Sequence, residues 1–185
     1  MARTSEFTRH VAFLRAINVG GHTIGMAELR QRFIDMGFSD VESVIASGNI
    51  VFRTDAQTQP DVLETRIEAA LAGALGYDVA TFIRAPGELA AIADSAFADA
   101  TGSHQVGLLK ASPDAEAAAA ALALQTDSDA IVVVGREIHW LRREPAASKL
   151  SNGHFERALR TPATFRSVAS LRRIRAKCDQ SAEIG

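Results

Sequence analysis

A glycine-rich segment near the start of the chain carries residue types that bind anions. Two adjacent glycines, Gly20 and Gly21, allow backbone N–H groups to approach a ligand closely, and Asn18 and His22 flank them with polar side chains. Arg15 precedes the segment and supplies a fixed positive charge. A predicted helix begins just after the segment, so the positive end of its dipole lies at the same place. The segment therefore predicts a pocket for a small molecule that bears a phosphate or a carboxylate group.

The same residues also allow a purely structural interpretation. Paired glycines serve tight turns, and Arg15 could neutralise an acidic neighbour. The glycine spacing matches neither G-x-x-x-x-G-K-[ST] nor G-x-G-x-x-G, the two common nucleotide-binding fingerprints. The segment thus favours an anion site without specifying a nucleotide.

Three further positions are candidates for ligand contact. Ser47 and Asn49 flank Gly48 between two apolar runs, where they could orient a ligand or form a plain hairpin turn. Ser47 is not a candidate nucleophile, because its surroundings do not match G-x-S-x-G and no His and Asp stand in recognisable positions to activate it. Lys149 follows Ser148 at the start of a predicted helix, where a cation opposes the dipole. Lys149 is therefore a candidate phosphate contact, with an ordinary exposed lysine as the alternative.

The elements that must position these residues form a regular series. Apolar residues at helical spacing predict a helix from Met26 to Met36 that ends at Gly37, and a second one that begins at Pro60 and reaches Leu75. Apolar and β-branched runs predict strands at His10–Ile17, Val41–Ala46, Ile50–Phe52 and Val79–Arg84. This order, βαββαβ, is that of the ferredoxin-like unit.

The handedness of this unit determines which loops meet. Its right-handed crossovers place the first and third strands centrally and antiparallel, and make the first and second strands parallel. The loop leaving the first strand, residues 18–22, and the turn leaving the second, residues 47–49, must then lie at one edge of the sheet. We therefore expect Arg15, His22 and Asn49 to approach a common pocket.

The same order recurs after a further helix opened by Pro86 and a polar linker at Asp99–Ser103. Its predicted strands are Val106–Ala111, Ile131–Val134, Glu137–Arg142 and Ala163–Phe165, and its predicted helices are Pro113–Leu124, Lys149–Leu159 (capped by Ser148) and Val168–Lys177. The halves share no strong residue-by-residue repeat. We predict an α+β fold of two ferredoxin-like (βαββαβ) halves with antiparallel sheets and an extra C-terminal helix, in which residues 1–98 form the first half with its trailing helix and residues 104–185 the second.

Composition excludes several classes of function. The 185 residues are 47% apolar, which is ample for a core, and the net charge of −2 gives no global attraction to nucleic acid or anionic membranes. The last stretch is locally basic, most simply as a solvated helix face. A single cysteine, Cys178, excludes an internal disulfide and a multi-cysteine metal site, and the five histidines lack metal-ligand spacing. No metal is therefore expected, and no cofactor is indicated.

The expected location is the cytoplasm. The first ten residues lack an apolar signal core, and the alanine-rich run at residues 115–124 is too short to span a bilayer. No residue pattern specifies a reaction, and the oligomeric state stays open. The rival functions are a module that binds single-stranded RNA as an RRM does and a protein-interaction module. Aromatic residues make up only 6% of the chain and the predicted third strand lacks paired aromatics, so RNA stacking is disfavoured.

The runs FLRAINVGG, MAELR and SGNIVF resemble a bacterial family known as domain of unknown function 1697. The resemblance continues at Ser148-Lys149-Leu150 and Thr161-Pro162-Ala163-Thr164, so that it spans nearly the whole chain. It implies two ferredoxin-like halves and no established activity. Where the family pattern leads us to expect Asn-Trp-Asn, this chain has Ser167-Val168-Ala169, so any ligand contact made there by relatives would be altered.

Overall fold

The computed structural model describes residues 7–18, 23–45, 48–94, 96–97 and 100–180. Its elements up to residue 94 are β1 (Phe7–Leu14), α1 (Met26–Asp35), β2 (Ser39–Ser43), β3 (Asn49–Asp55), α2 (Pro60–Leu75), β4 (Thr81–Arg84) and α3 (Pro86–Asp94). The later elements are β5 (Ser103–Leu108), α4 (Ala115–Leu122), β6 (Asp129–Val134), β7 (Glu137–Arg142), α5 (Asn152–Leu159), β8 (Thr164–Ser167) and α6 (Val168–Gln180). The chain divides into a first unit, Met1–Glu88 with Ile174–Gly185, and a second unit, Leu89–Arg173.

Each unit contains one antiparallel four-stranded sheet of the same topology. The strand order is β2-β3-β1-β4 in the first unit and β6-β7-β5-β8 in the second. In both sheets the first and third strands of the unit are the central pair, as a ferredoxin-like arrangement requires. The predicted α+β class with two similar halves and a C-terminal helix is therefore confirmed. The division into halves at the predicted linker, residues 99–103, stays a prediction.

The core of the first unit lies between its sheet and the helices α1 and α2. Leu29 and Phe33 face inward from α1, and Leu63, Ile67 and Leu71 face inward from α2, at the helical spacing that the sequence predicts. They pack on alternate residues of the central strands, which are Ala12, Leu14, Ile50 and Phe52. Each such fully buried Leu or Phe stabilises the unit by about 1.5–3 kcal/mol relative to exposure.

The second unit is built in the same way from different residues. Its core contains Ile131, Ile138 and Trp140 from the sheet, and Phe155 and Leu159 from α5. Two alanines of the predicted alanine-rich helix, at positions 117 and 121, also belong to this core. Small side chains there bring α4 close to the sheet.

The opposite face of each sheet is buried as well. In the first sheet, Val11, Phe13 and Phe82 have no exposed surface, and in the second, Val106 and Leu108 have none. The end of α6 lies on this face of the first sheet, where Arg9 donates a hydrogen bond to the carbonyl of Cys178. The central residues of this face are therefore buried in both sheets.

The edge strand β4 is closed by carboxylates. An edge strand offers unpaired N–H groups to other chains unless side chains or other elements cover them. Three glutamates accept from alternate N–H groups along this edge: Glu68 from Thr81 at 2.7 Å, Glu64 from Ile83 at 2.9 Å and Glu88 from Ala85 at 2.7 Å. In the second unit, Glu156 accepts from Ala163 at 3.0 Å, just before β8.

Several predicted boundaries differ from the structure, and the differences at β1 and α5 have identifiable reasons. Strand β1 ends at Leu14 rather than Ile17, because Ala16 takes a left-handed backbone with φ 58° that interrupts the extended chain. Helix α5 begins at Asn152 and not at Lys149. Its N-cap is Ser151, which forms a reciprocal capping box with His154.

Among the described residues, no helix is both long enough and apolar enough to cross a membrane.

Candidate functional site

The loop after β1 and the turn before β3 meet at one edge of the first sheet. The N–H of Leu14 donates to the carbonyl of Gly48 at 2.8 Å. Ile17, which is buried, also lies against this turn, since a Cβ atom added to Gly48 would come within 2.5 Å of its Cγ2 atom. The interleaved topology thus places the two segments side by side although they are far apart in sequence.

Arg15 is the first residue after β1. Its backbone N–H donates to the carbonyl of Ala80 at 2.8 Å, which extends the pairing of β1 to the residue just before β4. The side chain is half-buried. The sheet pairing therefore places Arg15 at the loop edge.

Asn18 forms a hydrogen bond with Ile24, on the other side of the glycine-rich segment. It adopts a left-handed backbone, φ 61°, and its Oδ1 atom accepts from the N–H of Ile24 at 2.6 Å. Asparagine tolerates this conformation better than other non-glycine residues. Three predicted ligand contacts inside the loop, Gly20, Gly21 and His22, lie outside the described residues, as does Ser47 of the neighbouring turn.

Asn49 stabilises the turn between β2 and β3 through hydrogen bonds to Val44. It has no exposed surface, and its Nδ2 atom donates to the carbonyl of Val44 at 3.0 Å. The N–H of Val44 donates in return to the carbonyl of Asn49 at 2.9 Å. Between them Ile45 takes φ 57°, a strained conformation for a β-branched residue. The side chain of Asn49 thus has a structural partner, and contact with a ligand would require it to reorient.

The N-terminus of α1 completes this edge. Its N-cap is Gly25, which has an extended backbone and no side chain to accept from the first-turn N–H groups. Glu28 in the first turn pairs with Arg32 at 2.9 Å instead. In the second unit the corresponding helix α4 is capped by Asp114, whose carboxylate accepts from the N–H of Ala117 at 2.8 Å.

Lys149 belongs to the second unit and is exposed. Because α5 begins at Asn152, Lys149 precedes the helix and its N-cap, and the dipole argument that marked it out has no basis. Its neighbour Ser148 is not a cap but donates to the buried carboxylate of Asp129 at 2.6 Å.

Asp129 ties three segments of the second unit together. Its carboxylate accepts from Trp140 Nε1 at 2.7 Å, from Ser148 and from Thr126 Oγ1 at 2.9 Å. Burial by itself raises the pKa of Asp129, but these three hydrogen bonds and the charge of Arg142 outweigh it and lower the pKa below its ordinary value. Asp129 is therefore a stable anion that anchors the segment before α5.

A histidine pair in the second unit was not predicted from the sequence. His104 Nε2 and His139 Nδ1 lie 3.1 Å apart. They are 35 positions apart in the chain, and only the register of β5 with β7 brings them together. Among the described residues no group of three or more His, Cys, Asp or Glu side chains could hold a metal ion.

Cys178 is not a reactive thiol in this structure. It is buried, and burial raises the pKa of its thiol to about 11. The thiolate that would act as a nucleophile is therefore scarce at neutral pH.

The architecture is that of an α+β protein with two ferredoxin-like units, which differ from each other at the loop edge. The chain belongs to the family described as protein of unknown function, DUF1697, whose model matches residues 7–139. A conserved bacterial protein from Streptococcus pneumoniae has a similar solved structure, with a TM-score of 0.73, 23% identity, and coverage of 92% of this chain and 98% of that chain. At this identity the likeness concerns the fold alone. A comparison with curated proteins found no match.

Proposed function

We propose that this protein binds a small anion, carrying a phosphate or carboxylate group, at the edge of the first unit where the glycine-rich loop meets the β2–β3 turn. The observation that carries the proposal is the difference between the two units at this edge. The second unit supplies its own carboxylate, Asp114, to the N-terminus of α4. The first unit has Gly25 at the same place and no capping side chain. A ligand anion would take the role that Asp114 plays in the second unit.

Two further features support this site. Arg15 adds a cation at the end of β1, and charge-assisted hydrogen bonds to arginine are among the strong polar interactions of proteins. Three non-glycine residues at this edge, Ala16, Asn18 and Ile45, hold left-handed backbones. Backbone strain of this kind concentrates at ligand-binding sites because the surrounding structure must enforce it. No reaction is assigned.

The RNA-binding alternative is not favoured by any observation. An RRM stacks bases on the exposed face of its sheet. The corresponding residues here are buried, including Val11, Phe13 and Phe82 in the first unit and Val106 and Leu108 in the second. RNA binding, if measured, should be weak and strongly dependent on salt. No observation on the described residues favours the protein-interaction alternative.

The test is the melting temperature of the protein against phosphate, sulfate, short carboxylates and a panel of nucleotides. A bound anion at a hundredfold excess over its dissociation constant should stabilise the fold by about 2.7 kcal/mol. Arg15→Ala should remove most of this ligand-dependent gain, because a charge-assisted hydrogen bond contributes roughly 1.5–3 kcal/mol. Its effect on the unliganded protein should be small.

A second variant tests the role of the uncapped helix. Gly25→Asp places a carboxylate where the second unit has Asp114, and a Cβ atom at this position meets nothing within 4 Å. The variant should fold well but lose the response to anions. Lys110→Ala, at the corresponding strand end of the second unit, is the matched control and should keep the full response. Equal responses in wild type, Arg15→Ala and Gly25→Asp would refute the site, whereas collapse of unliganded Arg15→Ala would show that Arg15 is structural.

A further inference from the structure

The histidine pair of the second unit lies on a sheet face that is otherwise largely apolar. His139 on β7 is only 1% exposed and stands opposite Val106 in the strand register. His104, at the start of β5, is half-buried. The two rings lie with centroids 5.3 Å apart, and the 3.1 Å separation of Nε2 and Nδ1 is that of a hydrogen bond. Two imidazoles share such a bond only if one donates an N–H and the other presents a bare nitrogen.

This requirement makes the contact sensitive to protons. Once both rings are protonated, two N–H groups face each other on two positive charges, and the hydrogen bond becomes a repulsion. The pair is therefore stable in its neutral or singly protonated form only. Low pH is the condition that removes that form.

His104 of the pair also packs against a residue with a strained backbone. Phe97 packs edge-on against His104, with ring centroids 5.5 Å apart and an interplanar angle of 82°. Phe97 has a left-handed backbone, φ 58°, and its carbonyl accepts from the N–H of Ala100 at 3.1 Å. A bulky residue rarely holds this conformation unless its contacts enforce it. The ring of His104 is such a contact.

We propose that His104 and His139 form an acid-sensitive latch that holds Phe97 against the second sheet at neutral pH and releases it when both rings are protonated. The latch is independent of the proposed anion site, since none of its residues belongs to the first unit. Release would free Phe97 without unfolding the first unit.

The charged neighbours of the pair disfavour a second proton while the latch is closed. They therefore favour release once that proton binds. Arg172 on α6 disfavours a charge on His104, and its own partner, Asp94 at 3.9 Å, offsets this only in part. Arg166 on β8 shares the sheet face with His139 through the register of Val106. Glu137 lies two residues before His139 on β7 and therefore on the same sheet face. Among the described strand residues it is the one acidic group on that face.

The pH range follows from the sign of the pKa shifts. Burial and then the charge of His104 lower the pKa of His139 from 6.5 to about 4, and burial and then Arg172 lower that of His104. The released state, with ordinary imidazoles, thus binds more protons than the latched state below pH 6.5. The latch is at full strength above that pH and weakens as the pH falls towards 4. Each unit of pKa shift corresponds to a tenfold change in opening, so opening should rise on the order of a hundredfold over this range.

Hydrogen exchange between pH 7.5 and 4, expressed as protection factors, tests the latch. Peptides that span residues 97–108 should lose protection on the order of a hundredfold in the wild type. The double variant His104→Gln/His139→Gln keeps polar amides at both positions but does not titrate, so its protection should not depend on pH. His10→Phe is the matched control, because it removes a buried histidine of the first unit and should leave the loss at 97–108 intact.

Two results would overturn the proposal. One is protection of residues 97–108 that does not change with pH in the wild type, and the other is a loss that persists in the double variant. If the double variant does not fold, the single variant His104→Gln decides the matter by NMR titration. Without the charge of His104, the His139 ring should titrate at a higher pH than in wild type, and an unchanged titration would show that the rings are not coupled.

Discussion

The two units of this protein share a scaffold that extends to individual backbone bonds. In the first, the N–H of Leu14 at the end of β1 donates to the carbonyl of Gly48 in the facing turn. In the second, the N–H of Leu109 donates to the carbonyl of Arg136 in the same way, at 3.0 Å. The strand orders are identical. The same topology therefore brings the same two loops together twice in one chain.

An arginine is also repeated, buried at Arg84 and half-buried at Arg166. Arg84 on β4 donates from Nη1 to the carbonyl of Ile83 at 2.8 Å, and Arg166 on β8 donates from Nη1 to the carbonyl of Phe165 at 2.9 Å. Both stand opposite a valine of the central strand, on the sheet face away from the core helices. Burial lowers the pKa of Arg166 to about 10, which leaves it charged at neutral pH. The two units thus repeat an arginine–valine pair in their strand registers, although their sequences show no strong repeat.

The units differ at the loop edge. The second has a two-residue turn with Gly135 at φ 57° and a helix capped by Asp114. The first has a longer turn with left-handed residues at Ile45 and Gly48, and a helix without a side-chain cap at Gly25. The sheets and cores that the units share account for stability. The features that they do not share are the ones on which the proposed anion site depends.

The largest expected effect concerns the glycines of the two turns. Gly48→Ala should destabilise the protein by about 3 kcal/mol, because alanine is strained at φ 71° and its Cβ atom would lie 2.5 Å from Ile17. Gly135→Ala should cost only about 1 kcal/mol, since the nearest atom to its added Cβ is 3.7 Å away. Urea unfolding followed by circular dichroism measures both. Equal losses would mean that the turn of the first unit is no more closely packed than that of the second.

An intermediate effect is expected at the closed edges of the sheets. Glu64→Ala leaves the N–H of Ile83 buried without this acceptor and should cost about 2–3 kcal/mol. Glu156→Ala, in the second unit, removes the bond to the N–H of Ala163 near the surface and should cost about 1 kcal/mol.

Open edges also promote association between chains. Glu64→Ala should therefore show concentration-dependent oligomers in analytical ultracentrifugation, and Glu64→Gln, which keeps an acceptor, should not. A monomeric Glu64→Ala variant with wild-type stability would show that the carboxylate does not close the edge.

The smallest effect is expected from an exchange of helix caps. Asp114→Ala removes the cap of α4 and should destabilise the second unit by about 1 kcal/mol. Gly25→Asp adds the missing cap to α1 and should stabilise the unliganded first unit by about 0.5–1 kcal/mol, since φ −66° suits any residue. Thermal melts of the two variants and of the combined one measure these changes. The comparison fails if Gly25→Asp destabilises, because α1 would then already have its N-terminal N–H groups satisfied.

Local signals predicted the helices better than the strands. Helix α2 begins at Pro60 and ends before the left-handed Gly76, as its apolar period, its proline and its glycine indicate. Strand β1 was placed three residues too late, because the apolar run continues to Ile17, which is buried as a loop residue and not as part of the strand. Apolarity reports burial, and the strand's end depends on a backbone reversal that the residue types do not reveal.

The candidate site was predicted in the same uneven way. The topology of the βαββαβ order was enough to place the Arg15 loop beside the turn at Gly48. It was not enough to show that Asn49 is fully buried in that turn, or that Lys149 lies outside a helix. Those properties depend on which hydrogen bonds close a loop, and many loops are compatible with one sequence pattern.

The sequence by itself determined the order of elements, the apolar faces of the helices and the class of fold, because these follow from periodicity and end signals within about ten to fifteen residues. Only the tertiary structure decided which polar groups would meet. The carboxylate of Glu64 reaches the N–H of Ile83 across 19 positions, and His104 reaches His139 across 35. Such contacts are fixed by strand register, where a shift of one residue turns every side chain to the other face of the sheet. Register is set by the packing of the whole core, so no local segment of the chain contains it.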